Sequence, residues 1–336
     1  MRKEPTHLRA RNIALIPAAI ILAVASLPHL AGTALAQSKP DIRIGTGRQG
    51  GAYYRMGAII ADAMVRSGLV KSATAESVSG AIESARLAEK GTLQVFGMDK
   101  TWVVRAANGE APFKKKLDLR TVMPMGAWSL FFVTQQDSPI KTLEDLKGKR
   151  IAVGARGSGM EQHARMLLKG LGMTFKDITP VYLAFGPGAR AVKDGKADAQ
   201  LQCCLPNGSI TELSELSKVR AVNMDKNIDK LIASSGTYGR MVMEKGVFKG
   251  HDKDMAAISI LQGWMGTAKL DDEVAYIFAK TLISNLDAMS KKMPQFASIK
   301  PMMAEAKSKN SAAPVEIGAP LHPGTTRAFK EAGILK

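Results

Sequence analysis

The sequence predicts an α/β fold of two lobes, each built on a mainly parallel sheet. Short β-rich segments alternate with helical segments along most of the chain, which is typical of such sheets. Two glycine-rich loops, residues 45–51 and 154–159, each follow a predicted strand and precede a predicted helix. The 300 residues after the predicted leader exceed what one hydrophobic core usually organises, so two lobes of ordinary domain size are expected.

The leader is residues 1–36, which resemble a secretory signal peptide. Basic residues precede an apolar run from Ile13 to Leu27, and Ala34-Leu35-Ala36 has the small-residue form that signal peptidase cleaves. An uncleaved membrane anchor is the alternative, but the run is short for a span and contains Pro17. We therefore expect a mature chain that begins at Gln37 and is exported to the periplasm.

The predicted elements repeat one plan in the two lobes. The first lobe is expected to contain strands at 41–44, 72–78 and 93–98 and helices at 52–67 and 79–91. The second lobe is expected to contain strands at 150–153, 179–184 and 199–205 and helices at 160–169 and 189–194. Extended segments at 122–134 and 237–243 are predicted to cross between the lobes. Lobe 1 would then be residues 37–129 plus 237–336, and lobe 2 residues 130–236.

The chain is strongly basic, with a formal net charge of +17. The basic residues are scattered, apart from Lys114-Lys115-Lys116, and only 5% of the residues are aromatic. No basic stripe is interleaved with aromatic stacking groups, so nucleic acid is not expected as a partner. Two explanations of the charge stay open: electrostatic attraction of anionic solutes, and a charged surface that serves solubility.

The first glycine loop, from Gly45 to Gly50, fits the dinucleotide-binding pattern G-x-G-x-x-G between a strand and a helix. That pattern also requires an acidic residue at the end of the next strand. Glu76 is a poor candidate because Ser77 and Val78 are predicted to continue that strand. The general property of such a loop is that its backbone N–H groups can approach an anion, whether a phosphate or a carboxylate. A tight turn used only for packing is the simpler alternative.

The second glycine loop, residues 154–159, has the same position between a strand and a helix. If the two loops face each other, a ligand between them meets two helix N-termini and the guanidinium of Arg48 or Arg156, which suits carboxylates. Each arginine alone is more simply interpreted as a solvated surface side chain.

Signals for catalysis are weak, so we predict a protein that is not an enzyme and has neither cofactor nor metal. The mature chain contains three histidines, with no metal-ligand spacing, and no phosphate-binding lysine loop follows the glycines. Ser158 lacks the G-x-S-x-G frame and is expected to cap a helix. Cys203 and Cys204 are consecutive, which is unfavourable for a disulfide, so we expect two free, buried thiols.

Several segments resemble the TAXI-type solute receptors of tripartite ATP-independent periplasmic (TRAP) transporters. The similarity covers nearly the whole mature chain. It rests on Ile44-Gly45-Thr46-Gly47 with Gly50-Gly51-Ala52-Tyr53-Tyr54, on Ser138 to Arg150, on Val153 to Gly159, on Asp194 to Ala199, on Gly236-Thr237-Tyr238, and on Leu321-His322-Pro323-Gly324 with Lys330-Glu331-Ala332-Gly333. Arg48 and Arg156 depart from the family pattern, in which small residues or proline are usual.

The resemblance implies a type II periplasmic-binding-protein-like fold, with a ligand cleft between two hinged lobes. It also implies capture of a small organic anion, a dicarboxylate or an acidic amino acid such as glutamate, and delivery to the TRAP membrane permease subunits. Two other functions stay open: an exported dinucleotide-dependent enzyme, and a periplasmic receptor that feeds a membrane sensor. The candidate ligand-binding residues are Gly47, Arg48, Gln49, Gly50, Tyr54, Ser79, Asp99, Arg156, Gly157 and Ser158.

Overall fold

One mixed β-sheet of ten strands runs through residues 38–336, the part of the chain that the computed structural model describes. The predicted leader lies outside the described residues. The strands are β1 Asp41–Gly45, β2 Ser72–Glu76, β3 Val95–Asp99, β4 Leu119–Gln135, β5 Arg150–Ala152, β6 Thr179–Val181, β7 Ala199–Cys203, β8 Val219–Ala221, β9 Gly239–Met243 and β10 Met255–Thr267.

Ten α-helices pack around this sheet within residues 38–336. They are α1 Ala52–Arg66, α2 Ala81–Glu89, α3 Lys100–Asn108, α4 Gly159–Gly170, α5 Phe185–Lys193, α6 Gly208–Leu216, α7 Ile228–Ser235, α8 Asp272–Lys292, α9 Ile299–Lys309 and α10 Pro323–Glu331. Short 3₁₀ helices lie at Glu144–Leu146, Pro294–Ser298 and Ala313–Val315. None of the helices in the described residues is long and apolar enough to cross a membrane.

The order of the strands places two parallel groups at the two sides of the sheet. The order is β2-β1-β3-β10-β4-β7-β5-β6. β1 is parallel to β2 and to β3, and β5 is parallel to β6 and to β7. Between these groups, β10 is antiparallel to both β3 and β4, and β4 is antiparallel to β7. We call the two groups the β1–β3 side and the β5–β7 side.

The two long central strands, β4 and β10, join these sides. β4 is 17 residues long and β10 is 13, and nearly all of their residues are buried, as expected for strands covered on both faces. The segment 122–134 that was predicted to cross between lobes lies within β4. The other predicted crossing, 237–243, contains the short strand β9, which pairs with residues 255–259 of β10. β10 itself was not predicted; the two-lobe division stays a prediction.

Amphipathic helices attach to the sheet through regularly spaced apolar residues. In α1 the side chains of Met56, Ile60 and Met64 recur every four residues and are fully buried against the sheet. α1 ends at Arg66 with Ser67 as its C-cap, and Gly68 follows with φ +70°, a left-handed conformation that glycine adopts without strain. The predicted helix over 52–67 is therefore confirmed to within one residue.

The C-terminal helix α10 packs closely on α8. Gly324, in the first turn of α10, is buried, and a Cβ placed on it would lie 2.0 Å from the carbonyl oxygen of Asp272. That oxygen belongs to the first residue of α8, so the obstacle is backbone rather than a flexible side chain. Only glycine fits at this contact.

We expect Gly324→Ala to lower the free energy of unfolding by about 1–3 kcal/mol, the usual effect of overpacking a well-packed contact. Urea denaturation measures the change. Lys330→Ala is the matched control, because Lys330 is an exposed residue of the same helix. Equal stability of the two variants would contradict the close contact between α10 and α8.

His322 precedes α10 and caps it, because its Nδ1 accepts a hydrogen bond from the amide of Gly324 at 3.3 Å. Its Nε2 donates to the carbonyl oxygen of Leu270 at 3.1 Å, so the ring is neutral. Burial lowers the pKa of His322 below its usual value. The carboxylate of Asp272, 3.5 Å from Nδ1, opposes this effect, but it is exposed and screened by water.

The lowered pKa of His322 predicts a pH-dependent part of the stability. Below about pH 6.5, the usual histidine pKa, the unfolded chain takes up a proton that the folded chain resists. The free energy of unfolding should therefore decrease as the pH falls through 6.5, down to the folded-state pKa. His322→Asn keeps a capping group and should show a shallower decrease. Parallel curves for the two proteins between pH 7 and pH 5, measured by urea titration, would contradict this assignment.

Candidate functional site

A cleft of about 710 Å³ lies at the carboxyl ends of the strands in both parallel groups. Lining residues come from the segments that connect β1 to α1, β2 to α2, β3 to α3, β5 to α4, β6 to α5 and β7 to α6. Carboxyl ends of parallel strands are where open α/β sheets usually bind ligands. Both glycine loops line this cleft, the first through residues 46–51 and the second through Gly154, Ala155, Ser158 and Gly159, so the two loops share one crevice.

Six helices begin at this cleft, and their N-cap residues all line it. These residues are Gly51, Gly80, Asp99, Ser158, Ala184 and Asn207, at the starts of α1 to α6 in that order. Each helix start carries a partial positive charge and free backbone N–H groups. The side chains of Asp99, Ser158 and Asn207 cap α3, α4 and α6, whereas α1, α2 and α5 have no side-chain cap.

The first glycine loop is fixed by hydrogen bonds at its start, and its tip is exposed to the cleft. The amide and the hydroxyl of the buried Thr46 both donate to the carbonyl oxygen of Glu76, at 3.0 and 2.8 Å. Arg48, Gln49 and Gly50 are exposed and line the cleft. This loop also approaches the opposite side, because a Cβ placed on Gly208, in α6, would lie 3.7 Å from the carbonyl oxygen of Gly50.

The second glycine loop is held by its own capping groups. The hydroxyl of Ser158 accepts from the amide of Glu161, and the carboxylate of Glu161 accepts from the amide of Gly157 at 2.6 Å. Ser158 therefore caps α4, as predicted. Arg156 is exposed, and its guanidinium carbon lies 3.7 Å from the centre of the Tyr182 ring, so it stacks on an aromatic face.

Seven of the ten predicted ligand-binding residues line the cleft: Gly47, Arg48, Gln49, Gly50, Ser79, Asp99 and Ser158. Three lie outside the lining: Tyr54, Arg156 and Gly157. In α1 it is Tyr53 that faces the cleft, and in place of Arg156 the cleft is lined by its stacking partner Tyr182. Ser79 lines the cleft, but its amide is not available to a ligand, because this N–H donates to the carboxylate of Glu83 at 2.6 Å.

A chain of buried hydrogen bonds joins Asp99 to the opposite side of the cleft. Asp99 is 7% exposed, and its carboxylate accepts from the amide of Thr101 at 3.0 Å and contacts Nε2 of His163 at 3.2 Å. Nδ1 of His163 lies 2.7 Å from the hydroxyl of Tyr238. Burial and the charge of Asp99 raise the pKa of Tyr238 well above its usual value, so the phenol stays protonated. Both carboxylate oxygens of Asp99 therefore have partners within the protein.

Tyr53 and Gln262 form the floor of the cleft between the two sides. The Tyr53 hydroxyl donates to the side-chain oxygen of Gln262, a buried residue of β10. The tyrosine ring lies directly over β3, because a Cβ placed on Gly97 would lie 2.1 Å from a ring carbon. Burial and the Asp99 carboxylate raise the pKa of Tyr53 well above its usual value. Tyr53 is consequently a neutral donor at neutral pH.

Sequence reasoning missed the cleft residues of α5 and α6. Arg190 and Glu212 are exposed charged residues of these helices and line the cleft, and the buried Asn207 lies between β7 and α6. Asn207 caps α6, since its Oδ1 accepts from the amide of Ile210 at 3.0 Å. A signal was available: Asn207 follows a predicted strand and suits an N-cap, so the rule that placed Ser158 in the site would also have placed Asn207.

The expectation of two free thiols was wrong. Cys203 and Cys204 form a disulfide between neighbouring residues, at the end of β7. Both are buried and both line the cleft. The backbone of Cys204 has φ +67°, a left-handed conformation that is rare for residues other than glycine, and sequence inspection gave no sign of it.

The predicted second strand, residues 72–78, was too long at its C-terminal end. β2 ends at Glu76, so the strand does not continue through residues 77 and 78. The position of Glu76 thus agrees with the dinucleotide-binding pattern, but its side chain does not line the cleft. Within residues 38–336 no group of three or more histidine, cysteine, aspartate or glutamate side chains is arranged to hold a metal ion.

The sheet order and the cleft define an α/β protein with the type II periplasmic-binding-protein-like fold, and comparison with solved structures confirms this predicted class. The chain belongs to the NMT1-like family, whose sequence pattern matches residues 44–333.

Two solved structures show the same fold at low sequence identity. A protein from Bordetella bronchiseptica RB50 is 14% identical, with a TM-score of 0.54, and the match covers 88% of this chain and 98% of that one. MatC from Rhodopseudomonas palustris, with bound malate, is 14% identical, with a TM-score of 0.53, and the match covers 76% of this chain and 88% of that one.

Tyr53→Phe removes the donor that satisfies the buried oxygen of Gln262. We expect the free energy of unfolding to fall by about 1–3 kcal/mol, the usual effect of leaving a buried polar group unsatisfied. Tyr54→Phe is the matched control, since Tyr54 is the neighbouring residue and lies outside the cleft lining. Denaturant titration of both variants makes the comparison, and a larger effect at Tyr54 would mean that α1 presents the other tyrosine to the cleft.

Proposed function

We propose that this protein is a periplasmic solute-binding receptor that captures a small organic anion in the cleft and delivers it to a membrane transporter. The observation that carries the proposal is the convergence of six helix N-termini on one cleft. Three of these helices, α1, α2 and α5, lack side-chain caps, so N–H groups of their first turns are available to a ligand. Helix starts with free amides favour negatively charged groups.

The charged side chains of the cleft are two arginines, Arg48 and Arg190, and two carboxylates, Asp99 and Glu212, and the arginines are the groups that can pair with a small anionic ligand. Arg48 and Arg190 supply positive charge on the two sides. The carboxylate of Asp99 is held by the amide of Thr101 and by His163, so both of its oxygens already have partners within the protein. A cleft of about 710 Å³ is in the size range of small-molecule sites, roughly 300–1,000 Å³. These features suit a dicarboxylate or an acidic amino acid such as glutamate.

The transport role rests on the leader and on the family resemblance. A signal peptide over residues 1–36 would export the chain to the periplasm. The segments around Gly45 to Tyr54 and Leu321 to Gly324 resemble the TAXI-type receptors, which would make the TRAP permease subunits the membrane partner. The fold is shared with MatC, whose solved structure holds malate.

Ligand capture would close the cleft by a movement of the β1–β3 side against the β5–β7 side. β4 and β10 are the crossings in this proposal, with residues 38–129 plus 260–336 on one side and 130–259 on the other. The boundary near 260 replaces the one near 237, because β9 pairs with the part of β10 that lies beside the second half of β4. Closure replaces the water around the ligand with fixed donors, which shifts the population from open to closed forms.

Two competing functions make different predictions. A dinucleotide-dependent enzyme would use the first glycine loop and Glu76, but Glu76 does not line the cleft, so we favour the receptor. A titration followed by NADH fluorescence distinguishes the two, and saturable binding would favour the enzyme. A receptor that feeds a membrane sensor would bind the same anions, and a gene for a membrane permease beside this one would favour transport.

We expect malate, other dicarboxylates or glutamate to raise the melting temperature of the mature protein in a thermal-shift screen, because only the folded state binds the ligand. Amides and esters of the same compounds, which lack the charge, are the controls. A screen in which the charged and uncharged compounds act alike would contradict an anion site.

The arginines of the cleft should contribute through charged hydrogen bonds. Arg190→Ala and Arg48→Ala are each expected to lower the affinity for the most stabilising anion of the screen by about tenfold or more, since such a bond contributes about 1.5–3 kcal/mol. The matched control is Arg66→Ala, an exposed arginine in the last turn of α1, paired with Asp62. Calorimetric titration gives the affinities, and an equal loss in all three variants would show that only the net charge matters.

A further inference from the structure

The disulfide between Cys203 and Cys204 is part of the cleft wall and has no role in the function proposed so far. The two residues are 5% and 6% exposed, and both line the cleft. Cys203 is the last residue of β7, and Cys204 follows it, just before the turn that starts α6. An exported protein meets an oxidising compartment, in which disulfides form and persist.

The backbone around the disulfide fixes the start of α6. The amide of Cys204 donates to the carbonyl oxygen of Ser129 in β4 at 3.0 Å. The side-chain nitrogen of Asn207 donates to the carbonyl oxygen of Cys203 at 2.7 Å, while its oxygen caps α6 through the amide of Ile210. The cap of α6 is therefore attached to the residue that carries one of the two sulfurs.

The backbone of Cys204 has an unusual conformation at the residue that carries one of the two bonded sulfurs. Its φ of +67° is a conformation that residues with a Cβ rarely adopt. The disulfide ring restrains this residue; with two thiols, rotation to a negative φ becomes available. Such a rotation would move residues 204–207, and with them the amides that α6 presents to the cleft.

We propose that this disulfide is a redox-controlled part of the ligand site: the oxidised pair holds α6 in the binding geometry, and reduction weakens capture of the anion. The proposal rests on the proposed function, since it names a regulation of the same cleft. The disulfide faces the cleft, so a small thiol reductant reaches the sulfurs through the opening that the ligand uses.

A dithiol can reduce this disulfide by thiol–disulfide exchange, without any other reactant. One thiolate of the reductant attacks a cysteine sulfur and breaks the S–S bond, and its second thiol completes the exchange. The protein gains two electrons and two protons as two thiols, and the reductant becomes a disulfide. By thermodynamic linkage, if reduction weakens ligand binding by a given factor, bound ligand makes the disulfide harder to reduce by the same factor.

The test compares oxidised and reduced protein with L-malate as the probe, followed by the other anions of the screen. Thiol titration after denaturation should find no free thiol in the oxidised protein and two after treatment with dithiothreitol. Calorimetry should show malate affinity at least about fivefold lower in the reduced protein, which is the low end of usual coupling between sites. Reoxidation should restore the affinity.

The double variant Cys203→Ser, Cys204→Ser separates the disulfide from other effects of the reductant. It should bind like the reduced protein and should not respond to dithiothreitol. Equal affinity of oxidised and reduced protein overturns the proposal, and so does an equal response of the serine variant. If the serine variant does not fold, the reversible comparison on the unmodified protein still decides the question.

A failure of the proposed function gives a different result. In that case no anion of the screen binds either redox form, and hydrogen exchange of residues 203–212 becomes the readout. Faster exchange in the reduced protein supports redox control of the start of α6. Identical exchange in the two forms overturns it.

Discussion

The constraint on which the structure depends is the direction of its parallel strands. A helix that follows a parallel strand begins at the strand's carboxyl end, so the helices that follow one parallel group all start at the same edge of that group. Here two groups of three strands place their carboxyl ends around one cleft. The backbone alone thus provides partial positive charge at six points. The side chains adjust this field: Asp99, Ser158 and Asn207 satisfy three helix starts and leave the others to solvent or ligand.

The same arrangement explains how a buried carboxylate is accommodated within the cleft. Asp99 ends β3 and caps α3, so its charge lies at a helix start that stabilises it. Its second oxygen contacts His163 from α4, which belongs to the opposite group of helices. Asp99 therefore links the two sides of the cleft. Glycines complete the site by letting backbone and rings approach: Gly97 leaves the room that the Tyr53 ring occupies over β3.

Much of the fold could be predicted from local sequence, and the missing part was long-range. The strand, loop and helix around Gly45 to Arg66 have clear alternation, glycines and an apolar stripe, and were predicted to within a few residues. β10, residues 255–267, was not predicted, because a strand buried on both faces lacks alternation and resembles any other apolar segment. Its identity comes from pairing with β3 and β4, which are distant in sequence.

In the site, too, the features set by local sequence could be predicted and those set by long-range contacts could not. The glycine loops were identified because their residue types follow from local backbone geometry, whereas the choice of Tyr53 over Tyr54 depends on the rotation of α1 about its axis. Arg190 enters the cleft only through the position of α5 in the fold. The disulfide was missed because the expectation rested on the usual separation of bonded cysteines. The left-handed backbone of Cys204 belongs to the folded loop and is not encoded in any local pattern.

The central strand pair, β4 and β10, also determines where the sheet can bend. β4 and β10 are hydrogen-bonded to each other along most of β10, and their pairing is irregular between Gln262 and Gly263 and again between Trp264 and Met265. Irregular pairing bends the strand that carries it and increases the local twist. Any rotation of one side of the sheet against the other has to be absorbed by this strand pair. Gln262 is at one of the two irregular points, so a change in the bend there would also move the side chain that accepts from the Tyr53 hydroxyl.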